Sequence, residues 1–124
     1  MSDHDQIRKT FAQFCQFLDD RRFEDWAGLF TEDGVFNQLK GRAAILTMIS
    51  GAELASDPGL SRKHVITNAI IDVDGDEARS ISDLVMFDRH GDGPWLVAAV
   101  GKYQDRLVRH GEQWFLADRQ LHMI

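Results

Sequence analysis

The sequence predicts an α+β fold in which three helices, all in the N-terminal half, close one face of a strongly curved, mostly antiparallel sheet. Three observations predict it. Apolar residues recur at helical spacing over the first thirty positions and again after Arg42, while the second half is a series of β-branched runs joined by short turns. Several of those runs reach ten residues or more, beyond the five or six of an ordinary strand, and strands of that length bend.

The elements follow in order. Ile7, Phe11, Phe14 and Leu18 recur at intervals of four and three, with Phe17 widening the stripe and Arg8, Lys9, Gln13, Gln16 and Asp20 on the other faces, so the chain opens with an amphipathic helix. Asp3 with Gln6 forms a capping box, and Ser2 serves nearly as well as the cap. Phe23, Trp26, Leu29 and Phe30 predict a second, shorter helix ending before Glu32-Asp33-Gly34. Val35 to Lys40 is a short strand closed by Gly41, and Arg42 to about Leu54 is a third helix stopped by Asp57-Pro58-Gly59.

Strands then follow from His64 to Val73, Ala78 to Phe87, Trp95 to Val108 and Trp114 to His122. Their connections are Asp74-Gly75, the polar loop Arg89 to Pro94, and His110-Gly111, all short enough to impose antiparallel pairing. A two-residue period puts His64, Ile66, Asn68 and Ile70 on one face of their strand, with Val65, Thr67, Ala69, Ile71 and Val73 on the other. A bent sheet covered by helices encloses a cone, and its hollow is the expected ligand site.

Composition limits what that site serves. The 124 residues predict one domain over 1–124 with a single core. Fourteen basic against twenty acidic residues leave a net charge of −6, without the positive field on which nucleic-acid binding rests. No apolar run is long enough for a membrane span, the N-terminus has no signal-peptide pattern, and the lone Cys15 has no internal partner, which together predict a cytoplasmic protein. His4, His90, His110 and His122 lack the spacing of a metal site, and neither a phosphate-binding glycine loop nor a Gly-x-Ser-x-Gly elbow is present. No metal and no cofactor is expected.

Several segments in sequence carry a resemblance: Phe17-Leu18-Asp19-Asp20-Arg21-Arg22-Phe23-Glu24-Asp25-Trp26, Leu29 to Phe36, Gly41-Arg42, Arg62-Lys63-His64-Val65-Ile66-Thr67-Asn68, Asp72 to Ala78, Gly101-Lys102-Tyr103-Gln104-Asp105 and Trp114 to Arg119. Together they resemble the SnoaL-like branch of the nuclear transport factor 2-like superfamily, which includes scytalone dehydratase, a hexachlorocyclohexane dehydrochlorinase and the small subunits of ring-hydroxylating dioxygenases. The resemblance implies a cone around an apolar pocket and, usually, a homodimer. In the lyase members an Asp at the end of the first helix and a His on the strand after the third helix form a proton-abstracting dyad, and Asp19 and His64 match those positions. Scytalone dehydratase places a tyrosine directly before its Asp, whereas Leu18 stands here, so its water-assisted dehydration does not carry over.

The chemistry implied is proton abstraction: neutral imidazole takes a proton near pH 7, and a carboxylate on its other nitrogen fixes the tautomer. His64 is the expected base and Asp19 its partner, with Asp20 the alternative. Tyr103, the one tyrosine, is the expected hydrogen-bond donor to a carbonyl gaining negative charge, or else a core residue with its hydroxyl at the edge. Asn68 orients substrate or pins backbone. Arg119 pairs with Asp105 across neighbouring strands at the surface, or anchors an acidic substrate. Phe14, Phe17, Trp26, Phe30, Phe36, Leu46, Ile49, Leu84 and Met86 are expected around the cavity, which would favour a flat, largely apolar ligand. Arg42 opens a helix, where the dipole gives a cation nothing, so another group must hold it. The leading expectation is a cofactor-independent lyase or isomerase acting on a small cyclic molecule. A non-catalytic carrier or sensor, and a structural subunit of the dioxygenase type, are the alternatives.

Overall fold

A computed structural model describes residues 1–124. Helix α1 (Asp3–Asp19) starts at Ser2, whose hydroxyl accepts the Asp5 N–H at 3.1 Å, which decides between the two candidate caps. Its Ile7, Phe11, Phe14, Cys15 and Leu18 are buried, as their spacing dictates. Helix α2 (Phe23–Ala27) is shorter than expected, because Phe30 belongs to strand β1 (Phe30–Phe36). A tight return through Asn37 adds β2 (Leu39–Lys40), so the predicted single strand is a small hairpin. The predicted third helix divides into α3 (Arg42–Ser50) and a single turn, α4 (Glu53–Ser56), at Gly51. Arg42 has its partner after all: Nε donates to the Phe30 carbonyl at 3.1 Å.

Four long strands complete the chain: β3 (Leu60–Asp74), β4 (Glu77–His90), β5 (Leu96–His110) and β6 (Gln113–Met123). The sheet order is β2-β1-β6-β5-β4-β3, antiparallel except where β1 runs parallel to β6, and it stays open, with β2 and β3 at its edges. Gly75 and Gly111 hold the two tight turns at φ +63° and +65°, where a side chain would be strained.

The helices cover one face of this curved sheet, where Leu84, Tyr103, Leu107, Trp114 and Leu116 meet Phe11, Phe14, Trp26 and Phe30. Thr10 ties α1 to β6 by donating to the Trp114 carbonyl at 2.8 Å. The aromatic residues predicted to ring a hollow pack against one another instead. Phe14 lies 5.3 Å from Trp26, 6.4 Å from Phe36 and 5.8 Å from Tyr103, and Phe30 stacks on Phe36 at 5.7 Å, so rings fill the centre of the cone.

The face assignment on β3 needs a correction. His64 and Ile66 point inward, but Asn68 takes φ +55° and the pairing with β4 shifts register between Thr67 and Ile70. This bulge resets the alternation. Ile71 is buried, Ala69 and Val73 are partly buried, and Ile70 is 59% exposed, the reverse of the strict two-residue period beyond residue 68. Asn tolerates the left-handed conformation that the bulge demands better than its β-branched neighbours would.

Candidate active site

As an edge strand, β3 presents backbone groups that no neighbouring strand satisfies. Side chains from α1 and the turn after it satisfy three of them. His4 Nε2 lies 3.0 Å from the Ile71 carbonyl, Arg21 donates to the Leu60 carbonyl as well as to Leu54 O at 3.0 Å, and Asp19 accepts the His64 N–H at 3.0 Å. Arg21 can reach because it sits at φ +58°, where the chain leaves the helix.

Asp19 is the last residue of α1, at the helix end whose dipole disfavours a carboxylate, so it needs donors. His64 supplies two. Besides the backbone N–H, its Nδ1 lies 2.7 Å from Asp19 Oδ1, and Lys63 Nζ stands 3.8 Å from Oδ2. The side chains of Asp19 and His64 are 5% and 8% exposed, so this contact is largely withdrawn from water. A carboxylate oxygen already accepting an N–H fixes Nδ1 as a donor, and the neutral ring then carries its lone pair on Nε2, which bonds to nothing in the chain. Asp20, the alternative partner, caps α1 and is exposed.

The pair lines a cleft of about 580 Å³ between α1 and β3, walled by Phe11, Ala12, Cys15, Val65, Ile66 and Ala69, with Arg8, Gln16, Lys63, Thr67 and Asn68 as its polar groups. Of the residues singled out from sequence, the structure brings Asp19, His64 and Asn68 to this cleft. Asn68 Nδ2 donates to Asp83 Oδ2 at 2.9 Å, a cross-strand bond at the bulge.

The others lie elsewhere. Phe14, Trp26, Phe30, Ile49 and Leu84 are core residues, Phe36 is packed against them, and Phe17 is half-buried beneath the Arg22 guanidinium at 4.4 Å. Met86 is the register partner of His64 on β4. Tyr103 is 2% exposed, outside the cleft wall, and burial raises its phenol well above the usual range. Arg119 and Asp105 do pair across β5 and β6, at 2.7 and 2.8 Å, but both side chains are 0% exposed: the surface placement is corrected to an interior one. The cause is the face they occupy, beneath Phe11 and Phe14, with the Arg119 guanidinium 3.8 Å from the Tyr103 ring.

Two cleft features were not singled out for the site from sequence. Arg8, Ala12, Gln16 and Asp19 recur four and three apart along α1, but as the helix's polar side they resemble a solvated face. Cys15, read as packing, also reaches the cleft. Burial, with Asp19 adding to it, pushes its thiol from 9.0 up to about 11. The folded protein therefore keeps a proton that the unfolded chain releases, and stability falls as pH rises from 9 to 11. Denaturant titrations across that range should show the wild type losing about 2 kcal/mol more than Cys15→Ala, which keeps the pH dependence of the buried Tyr103 phenol. Parallel curves for the two proteins would contradict this.

A family model described as the SnoaL-like domain matches residues 1–120, and the chain belongs to that family. Among solved structures it is similar to Rv3472 of Mycobacterium tuberculosis, a protein of unknown function, at 31% identity over 96% of this chain and 70% of that one, with a TM-score of 0.84. A Novosphingobium aromaticivorans protein provisionally named a scytalone dehydratase is 24% identical over 98% and 84%, with a TM-score of 0.84. A Catenulispora acidiphila protein in complex with S-DNPA is 24% identical over 97% and 92%, with a TM-score of 0.85. No curated protein matches the chain. No helix is long and apolar enough to cross a membrane.

Proposed function

We propose that this chain is a cofactor-independent lyase or isomerase that removes a proton from carbon in a small, largely apolar, cyclic molecule. His64 Nε2 is the base; Asp19 holds the ring and stabilises the imidazolium that forms. The observation that carries the reading is the 2.7 Å contact between His64 Nδ1 and Asp19 Oδ1, nearly dry and on the wall of a cleft. The similar C. acidiphila protein, in complex with S-DNPA, supports a small-molecule ligand. Tyr103 stays in the core on this reading, and Asn68 at the cleft wall contacts the ligand if it leaves Asp83. We also propose a cytoplasmic homodimer formed through the sheet's outer face, which exposes Ile81 at 38% and Val100 at 40%.

The test uses 5-nitrobenzisoxazole, a carbon acid that needs no cofactor. A base takes its ring C–H proton, that electron pair completes a nitrile, the N–O bond breaks, and a coloured cyanonitrophenolate leaves. The wild type should accelerate this ring opening above the rate of buffer alone. If the compound binds and opens no faster than in buffer, the cleft is a carrier's and the catalytic reading fails.

A further inference from the structure

We infer that the ligand of this cleft is elongated and ends in an anionic group, held by Arg8 while its other end lies against His64. The inference rests on the cleft assigned above, and it concerns what the cleft accepts rather than the chemistry done there. The chain carries a net charge of −6, yet the cleft wall presents Arg8 and Lys63 against one carboxylate, Asp19. That carboxylate is committed to His64 and to Lys63, so the wall's uncompensated charge is positive.

The two side-chain cations are not equivalent. Lys63 Nζ is 3.8 Å from Asp19 Oδ2, at the dyad end. The Arg8 guanidinium makes no hydrogen bond within the chain, and the acid paired with it, Asp5, is 4.0 Å away, with both side chains more than half exposed. An exposed pair at that separation holds a guanidinium weakly. Arg8 is therefore the cation free to take a carboxylate or phosphate in a bidentate fashion.

Its position sets the ligand's length. Arg8 and Asp19 stand eleven positions apart on α1, a rise of about 16 Å at about 1.5 Å per residue. Between them the floor is apolar, formed by Phe11, Ala12 and Cys15 from the helix and Ile66 from the strand. A single small ring does not bridge that distance. A ring carrying an apolar tail that ends in an acid does.

Decanoate and decan-1-ol, of equal chain length and differing in charge, test this by calorimetric titration and by backbone amide NMR. Decanoate should bind about tenfold more tightly than the alcohol, and Arg8→Gln should abolish that preference while leaving the alcohol's affinity unchanged. Amide shifts should fall along α1 and the middle of β3. Equal binding of the two probes, a preference that survives Arg8→Gln, shifts confined to the outer sheet face, or Arg8 occluded by a second copy of the chain would each overturn the inference. Binding of decanoate is read without any turnover, so a failure of the catalytic reading leaves this result standing, and the converse holds too.

Discussion

His64→Gln lowers kcat/KM for the ring opening of 5-nitrobenzisoxazole by about 10²–10⁴-fold, the range that a positioned general base contributes. Nε2 is the one ring nitrogen that bonds to nothing in the chain, and Gln puts no comparable base in its place. The variant keeps the backbone N–H that Asp19 accepts at 3.0 Å, so the β3 edge stays capped and the fold should hold. Asp19→Asn should retain more activity than His64→Gln, because an amide oxygen still accepts that N–H but no longer stabilises an imidazolium. Unchanged far-ultraviolet circular dichroism shows that the variant folds, and equal activity of wild type and His64→Gln would remove His64 from the chemistry.

The second large effect falls on stability. Arg119 and Asp105 form a bidentate ion pair with no exposure, Ser80 Oγ donates to Asp105 Oδ2 at 3.0 Å, and Phe14 and Tyr103 stack on the guanidinium. Burial alone would lower the Arg119 pKa, but the charge and hydrogen bonds of Asp105 outweigh it and hold the group firmly cationic. Removing either partner strands the other charge in the core, so Arg119→Ala and Asp105→Ala should each cost about 3–5 kcal/mol in urea unfolding. Arg119→Met with Asp105→Leu should recover most of that loss, since apolar replacement of a whole buried pair is often neutral. Single costs that simply add in the double variant would show that the two charges do not depend on each other. Nη1 of Arg119 is buried without a partner, which reduces what the pair contributes and favours recovery in the double variant.

The elements were legible because their periods are local properties. Ile7, Phe11, Phe14 and Leu18 define α1 wherever it packs, and Asp74-Gly75 turns the chain in any sheet. The bulge at Asn68 was not legible: nothing in Val65 to Val73 interrupts the alternation until a residue adopts positive φ, and one such residue exchanges the faces of all that follow. The Arg119–Asp105 pairing followed from strand order, but its burial did not, because charged residues lie at the surface as a rule and only the covering helix decides otherwise. The aromatic residues were recognisably apolar. Whether they wall a cavity or fill it depends on the rotation of α1 and α2 against the sheet, which periodicity leaves open.

For the site, the joining of Asp19 and His64, 45 residues apart, came from the family resemblance. What the residues themselves add is the reason for the meeting: a carboxylate at a helix end needs donors, and an unpaired strand edge offers an N–H. Arg8 and Gln16 were hidden because a cleft wall on the outer side of α1 has the composition of a solvated face.

The central claim is that Asp19 fixes the His64 ring with its hydrogen on Nδ1 and its lone pair on Nε2. Long-range nitrogen–proton NMR of the five histidine rings reads this directly, with His64 assigned by the signal that His64→Gln removes. In the neutral ring the wild type should show a protonated Nδ1 and a bare Nε2, and Asp19→Asn should bring the two tautomers into exchange. A neutral wild-type His64 carrying its hydrogen on Nε2, or already averaging between the two nitrogens, would contradict the account.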